Sequence, residues 1–93
     1  MIKFVGLSKR AERQLRKVPR HVASKLLTWV DAVERDGLEE VRKISGFHDE
    51  RLQGKRQGER SIRLSKAYRA IYEIKENDHI HFVSVEEVTK HDY

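Results

Sequence analysis

Apolar residues recur along this chain with two different periods, and the change from one to the other divides it. Residues 2–5, Ile-Lys-Phe-Val, alternate and stop at Gly6, which predicts a short first strand. From Ser8 the spacing lengthens to that of a helix, with Ala11, Leu15 and Val18 at i, i+4 and i+7. Ser8 is suited to cap its start, and Pro19 closes it or opens the next element. A longer helix is predicted from Arg20 to Asp36, with Val22, Leu26, Trp29, Val30 and Val33 on one stripe and Gly37 just past its end. Leu38 to Ile44 predicts a short third helix, ended by Ser45-Gly46. The tight turn at Val18-Pro19 makes the first two helices a hairpin whose apolar stripe needs a sheet to cover it.

Beyond residue 50 the period falls to two. A strand is expected around Glu50–Gln53, a polar turn at 54–58, and strands at 59–65 and 67–75 joined by Ser65-Lys66-Ala67. Glu76-Asn77-Asp78 is the next turn, and residues 79–86 make a last strand before a polar tail. Strands joined by short loops pair antiparallel. The expected fold is therefore α+β, an antiparallel β-sheet packed on one face by an N-terminal α-helical hairpin, in one domain over residues 1–93. Because neighbouring strand residues point to opposite faces, Ile62 and Leu64 share a side that Ser61 and Arg63 cannot. One face is expected to be core and the other a cationic working surface.

Composition sharpens this picture in two ways. Charged residues make up 38% of the chain against roughly 25% in ordinary globular proteins, and the net charge of +5 is segmented. Residues 1–30 carry +7, 31–50 carry −4, 51–75 carry +6 and 76–93 carry −4. Two basic blocks between acidic ones point to a polyanion, with nucleic acid first among them. The basic residues of the first helix, Lys9, Arg10, Arg13, Arg16 and Lys17, are expected to form a solvated face. The chain has no cysteine, which excludes a disulfide, a thiolate zinc site and a cysteine nucleophile, and is compatible with a reducing cytoplasm. The opening residues lack the apolar segment of a signal peptide, and no apolar run approaches the ~20 residues of a membrane span. A cytoplasmic protein is expected. No phosphate-cradling Gly-rich loop is present, and His79 and His81, on one face of the predicted last strand, are too few ligands to imply a metal. No cofactor is expected.

One chemistry suits the residues that remain. RNA can be cut internally when its own 2′-hydroxyl attacks the adjacent phosphorus, so an enzyme need only move two protons and stabilise the added negative charge. Arginines such as Arg63 and Arg69 suit the charge, because the guanidinium fork matches two phosphoryl oxygens and keeps its proton at neutral pH. His91 suits proton transfer, Tyr93 suits base stacking or a proton relay, and Lys55 suits either electrostatic or proton work.

The segment GKRQGERSIRLSKAYRAIYEI and the closing VTKHDY resemble the RelE/ParE superfamily of bacterial toxin–antitoxin toxins, most nearly its HigB-type killer proteins and RelE. The resemblance implies a small twisted sheet covered by the helical hairpin, the RelE-like fold. It implies a ribosome-dependent mRNA endonuclease that works in the A site of the 70S ribosome, against 16S rRNA, without a metal. Arg69 then acts on the scissile phosphate, Arg63 is the arginine of Ser-Ile-Arg, and Lys55 and Arg56 belong to the basic loop. His91, Asp92 and Tyr93 match the C-terminal cluster, and Arg56, Arg60, Lys66, Lys90 and Asp92 are expected to hold RNA. The tail order Lys90-His91-Asp92-Tyr93 departs from related toxins and leaves the base open between His91 and Lys55. The implied partners are a cognate antitoxin protein and mRNA, with the toxin monomeric alone and hetero-oligomeric with its antitoxin. Two alternatives stand beside it: a ParE-like inhibitor of DNA gyrase that leaves RNA intact, and a basic RNA-binding module of the ribosome.

Overall fold

The structure, a computed structural model, describes residues 1–90. Helix α1 (Lys9–Leu15) begins where Ser8 caps it. The Ser8 hydroxyl accepts from the Ala11 amide at 3.0 Å and donates to the Glu86 carbonyl at 2.9 Å, so one side chain starts the helix and fastens it to the last strand. Helix α2 (Arg20–Asp36) has the predicted bounds and buries Val22, Leu26, Trp29, Ala32 and Val33. It stops at Gly37, whose φ is 90° and where a Cβ would collide with the Met1 side chain; glycine meets both demands. Helix α3 is a single turn, Leu38–Val41, shorter than predicted. The amides of Lys43 and Ile44 bond three residues back rather than four, and Ile44 is exposed, so continuing the helix would bury nothing.

Five strands, β1 (Val5–Leu7), β2 (Glu50–Arg51), β3 (Glu59–Arg63), β4 (Tyr68–Asn77) and β5 (Ile80–Lys90), form one sheet in the order β1-β5-β4-β3-β2. The four later strands pair antiparallel as expected, but β1 runs parallel to β5, with Val5 opposite Val83 and Leu7 opposite Val85. The sheet is therefore mixed. The short-loop rule governs only strands joined by short loops, and the whole helical hairpin intervenes between β1 and the rest. Gly6 sits in the middle of β1 rather than ending it. The β4–β5 connection is a two-residue turn with Asp78 and His79 both at positive φ, 49° and 68°, the geometry that suits the twist of a hairpin. His79 is consequently a turn residue, and the expected strand face shared with His81 does not exist; each imidazole instead approaches Glu76, at 3.8 and 3.3 Å.

β5 is longer than predicted because its alternation slips once. Ile71 pairs with Glu87 while Tyr72 pairs with Val85, so Glu86 is an extra residue, a β-bulge. Val83 and Val85 face the helices before it, and Val88 does so after it, which leaves Glu87 on the other side. Ser8 anchors the bulged carbonyl, and Gln14 Oε1 accepts from the Val88 amide at 2.7 Å. The core lies between sheet and helices: Ala11, Leu26, Trp29 and Val33 meet Ile62, Leu64, Ala70, Tyr72, Val83, Val85 and Val88. At its centre the Trp29 and Tyr72 rings are 5.1 Å apart and tilted by 45°. Lys25 Nζ lies 4.8 Å from the Phe47 ring, holding the turn at Ser45–Phe47 against α2.

A buried polar knot closes the helix side of the sheet. The Asp49 side chain, 1% exposed, accepts from Arg60 Nε and from the Tyr72 hydroxyl, each at 2.6 Å. Burial, and then the bond to Asp49, push the Tyr72 phenol up to about 12.

Three positions test this packing. Ser8→Ala loses a cap and the tie to the bulge and is expected to cost about 1–2 kcal/mol by urea denaturation. Deleting Glu86 removes the extra residue and leaves Val85, Glu87 and Val88 alternating on the faces they already occupy, so cooperative unfolding is expected to survive, with the lost anchor for Ser8 costing about 1–2 kcal/mol. Glu86→Ala, which loses only partly exposed pairings, is expected to cost less than about 1 kcal/mol. The Tyr72 proton is bound more tightly folded than unfolded, so its stabilisation is complete below pH 10.0 and is lost as pH rises through about 12. Denaturation measured across that window is expected to show this loss in the wild type and to lack it in Tyr72→Phe. That variant is expected to be weaker at neutral pH by about 1–3 kcal/mol, because Asp49 keeps a buried acceptor without its donor.

Candidate active site

The face of the sheet turned away from the helices carries the charged residues that alternate with the core. The register lays Glu50, Ser61, Ile71 and Glu87 in one row across β2 to β5, and Arg63, Arg69 and Thr89 in the next. Arg69 is the hinge between rows. Its Nη1 donates to Glu50 Oε1 at 2.9 Å and to Ser61 Oγ at 3.0 Å, which fixes the guanidinium over the sheet. Arg63 stands directly opposite Arg69, two like charges that repel until an anion lies between them.

Glu50 balances this pair. The Arg69 hydrogen bond above all, with His48 and Arg63 adding charge, holds its carboxyl below the usual carboxylate range. His48 Nε2 is 3.5 Å from Glu50 Oε2. The Glu50 side chain is 45% exposed and that of Arg69 only 17%, so the carboxylate is open to a ligand while the guanidinium is braced. At neutral pH this is an ionised proton acceptor beside one braced cation, Arg69, and one exposed cation, Arg63.

A second ion cluster braces the neighbouring strands. Arg56 bonds Glu59 Oε1 at 2.9 Å and closely contacts Glu87 Oε2, while Arg10 reaches Glu87 Oε1 at 3.5 Å from the start of α1. Arg56 thereby spans Ile71, which is buried without belonging to the helix-side core. Lys75 lies between Glu73 and Glu86 at 3.4 and 3.3 Å. The expected cationic surface is therefore a mosaic, in which most arginines already face a carboxylate.

Of the residues singled out by sequence, Arg63 and Arg69 come together, and Arg56 joins the same face through Glu87 and Glu59. Lys55 is exposed in the one-turn helix Gly54–Arg56. Lys66 is exposed in the β3–β4 turn, where Ser65 Oγ accepts from the Ala67 and Tyr68 amides at 3.2 Å. Lys90 is exposed opposite Tyr68. Arg60 points the other way, to the helix side, where it holds Asp49. His91, Asp92 and Tyr93 lie outside the described residues. The sequence reading missed Glu50, His48 and Glu87. Only the pairing of Glu50 with Ser61 across an irregular loop puts its carboxylate under Arg69, and no motif spacing announces that. Among the described residues no group of three or more His, Asp or Glu is placed to hold a metal ion, and no helix is long and apolar enough to cross a membrane.

No protein-family model matches the chain. No curated protein sequence matches it significantly. Solved structures do match in three dimensions. A YoeB/ParE toxin from Agrobacterium tumefaciens superposes with a TM-score of 0.72 at 13% identity, over 96% of this chain and 99% of that one. The archaeal RelE–RelB complex from Pyrococcus horikoshii gives 0.69 at 22%, over 97% and 96%. The RelBE2 toxin–antitoxin complex from Mycobacterium tuberculosis gives 0.68 at 21%, over 98% and 100%. YafQ from the Escherichia coli DinJ–YafQ toxin–antitoxin complex covers 98% of this chain and 94% of that one, with a TM-score of 0.65 at 19% identity. The mixed five-stranded sheet with its helical hairpin is thus the RelE-like fold, shared over essentially the full length with toxins of the RelE, YoeB and YafQ kinds.

Proposed function

We propose that the chain is the toxin of a toxin–antitoxin pair and acts as a metal-independent endoribonuclease on mRNA in the ribosomal A site. The observation that carries this reading is the Arg63–Arg69–Glu50 constellation, an exposed ionised carboxylate against two opposed guanidiniums on the open face. The fold shared with toxins solved beside their antitoxins supports the partner, a cognate antitoxin protein that covers this face.

In the proposed reaction Glu50 takes the proton of the 2′-hydroxyl, the oxygen attacks the adjacent phosphorus, and Arg69 with Arg63 receives the charge that builds on the phosphoryl oxygens. His48, in contact with Glu50, carries the captured proton onward. The leaving 5′ oxygen is protonated by one of Lys55, His91 or Tyr93, and Arg56, Lys66, Lys90 and Asp92 line the path of the message. Glu50 joins His91 and Lys55 as a candidate base because its carboxylate, ionised and open to a ligand, is positioned beside Arg69. Working on translated mRNA places the protein in the cytoplasm.

Primer extension on cellular mRNA after brief induction tests the reading: new 5′ ends inside coding regions are expected for the wild type. Arg69→Ala is expected to lower cleavage by about 10²–10³-fold, the effect of removing one donor to a developing oxyanion, and to leave growth unimpaired. Glu50→Gln is expected to lower cleavage by about 10²–10⁴-fold, the usual contribution of a positioned base, with the fold intact by circular dichroism. Growth arrest with unbroken transcripts and relaxed DNA would instead identify a gyrase inhibitor.

A further inference from the structure

We propose that a second phosphate site lies on the opposite side of the sheet, in the cleft between Arg42, Arg51 and Arg60, and that it holds a phosphodiester of an RNA strand away from the scissile linkage. The RNA occupant rests on the function proposed above; the cleft itself does not. It encloses about 340 Å³, with Gln57, Gly58 and Tyr72 completing its wall. Strand alternation brings Arg51 and Arg60 there, since they are register partners one position out of phase with Glu50 and Ser61. Like charges directly opposite each other work against a strand pair. One buried carboxylate is at hand, Asp49, and both its oxygens are occupied, one by Arg60 Nε and one by the Tyr72 hydroxyl. Arg42 Nε is buried and donates to no acceptor among the described residues. Glu59 and Glu73 reach the rim, where Arg56 holds the first and Lys75 the second.

Three guanidiniums therefore share a cleft whose one buried carboxylate is already taken, a surplus of positive charge that costs the fold stability and that a bound anion offsets. They come from three separate elements, α3's end, β2 and β3, and so approach from different directions. Tetrahedral phosphate oxygens receive donors arriving that way, whereas a planar carboxylate is matched by a single fork.

The full chain is melted in inorganic phosphate and in chloride at equal ionic strength. Phosphate is expected to raise the melting temperature of the wild type and of Arg69→Ala, and to do so far less in Arg42→Gln and in Arg51→Gln, whose exposed side chain bears no load in the core. Binding of a 2′-O-methylated, uncleavable RNA is then followed against salt. The slope of log affinity on log salt is expected to fall in magnitude by about 1 in Arg51→Gln. Absence of a phosphate effect in the wild type overturns the site. A phosphate effect with an unchanged RNA slope marks an adventitious ion only and overturns the RNA occupant, as does tighter binding of poly-glutamate than of RNA. A reduced slope in a protein that cuts no message upholds the cleft and rejects the cleavage reading instead.

Discussion

One extra residue in β5 decides what this sheet can do. Glu86 has no partner in β4, and the slip it introduces lets the same strand present valines to the helices on both sides of the bulge while turning Glu87 outward. The bulge is held by the Ser8 hydroxyl, the same group that begins α1. Core packing, helix initiation and the charge pattern of the open face are thus joined at a single hydrogen-bonded point. Without the slip a carboxylate would face Trp29's neighbours, and Arg10 and Arg56 would lose the anion that draws them together.

The two sides of the sheet then solve the same electrostatic problem differently. On the open side Arg56, Arg69 and Lys75 are each near a partly exposed carboxylate, so the ion pairs contribute little to stability and serve to hold those side chains still. Preorganised charge of this kind costs no rearrangement when a substrate's charge develops. On the helix side Asp49 is sealed from water and its partners are committed to it. That knot fixes β2 and β3 relative to β4, and so it sets the distance from Glu50 to Arg69 on the other side.

Most of the architecture was legible because helix and strand periods differ so clearly. The stripe Val22-Leu26-Trp29-Val33 placed α2 to the residue and the cap at Ser8 placed the start of α1, which ends at Leu15, before the expected Val18. The strand reading failed where alternation is not the governing rule. Val85-Glu86-Glu87-Val88 breaks a period of two and looks like a strand's end, when it is a bulge inside a longer one. The direction of β1 depends on a crossover through two helices, which local pattern does not encode. Arg69 and Arg63 were visible as basic residues on predicted strands. Glu50 was not visible as their counterpart, since its place depends on a two-residue strand finding its register across the irregular loop at 52–58. Parity alone does separate Arg60 from Arg63, and the knot with Asp49 explains what the former does.

The parallel pairing of β1 with β5 has a consequence for how the chain comes together. Val5 meets Val83 across 78 residues, whereas β4 and β5 are joined by two. Closing the larger loop carries the greater entropic penalty, so the hairpin assembles first and the opening segment docks last. On a translating ribosome this means that β1, made before β5, waits for that strand to emerge, and the sheet acquires this outer edge last.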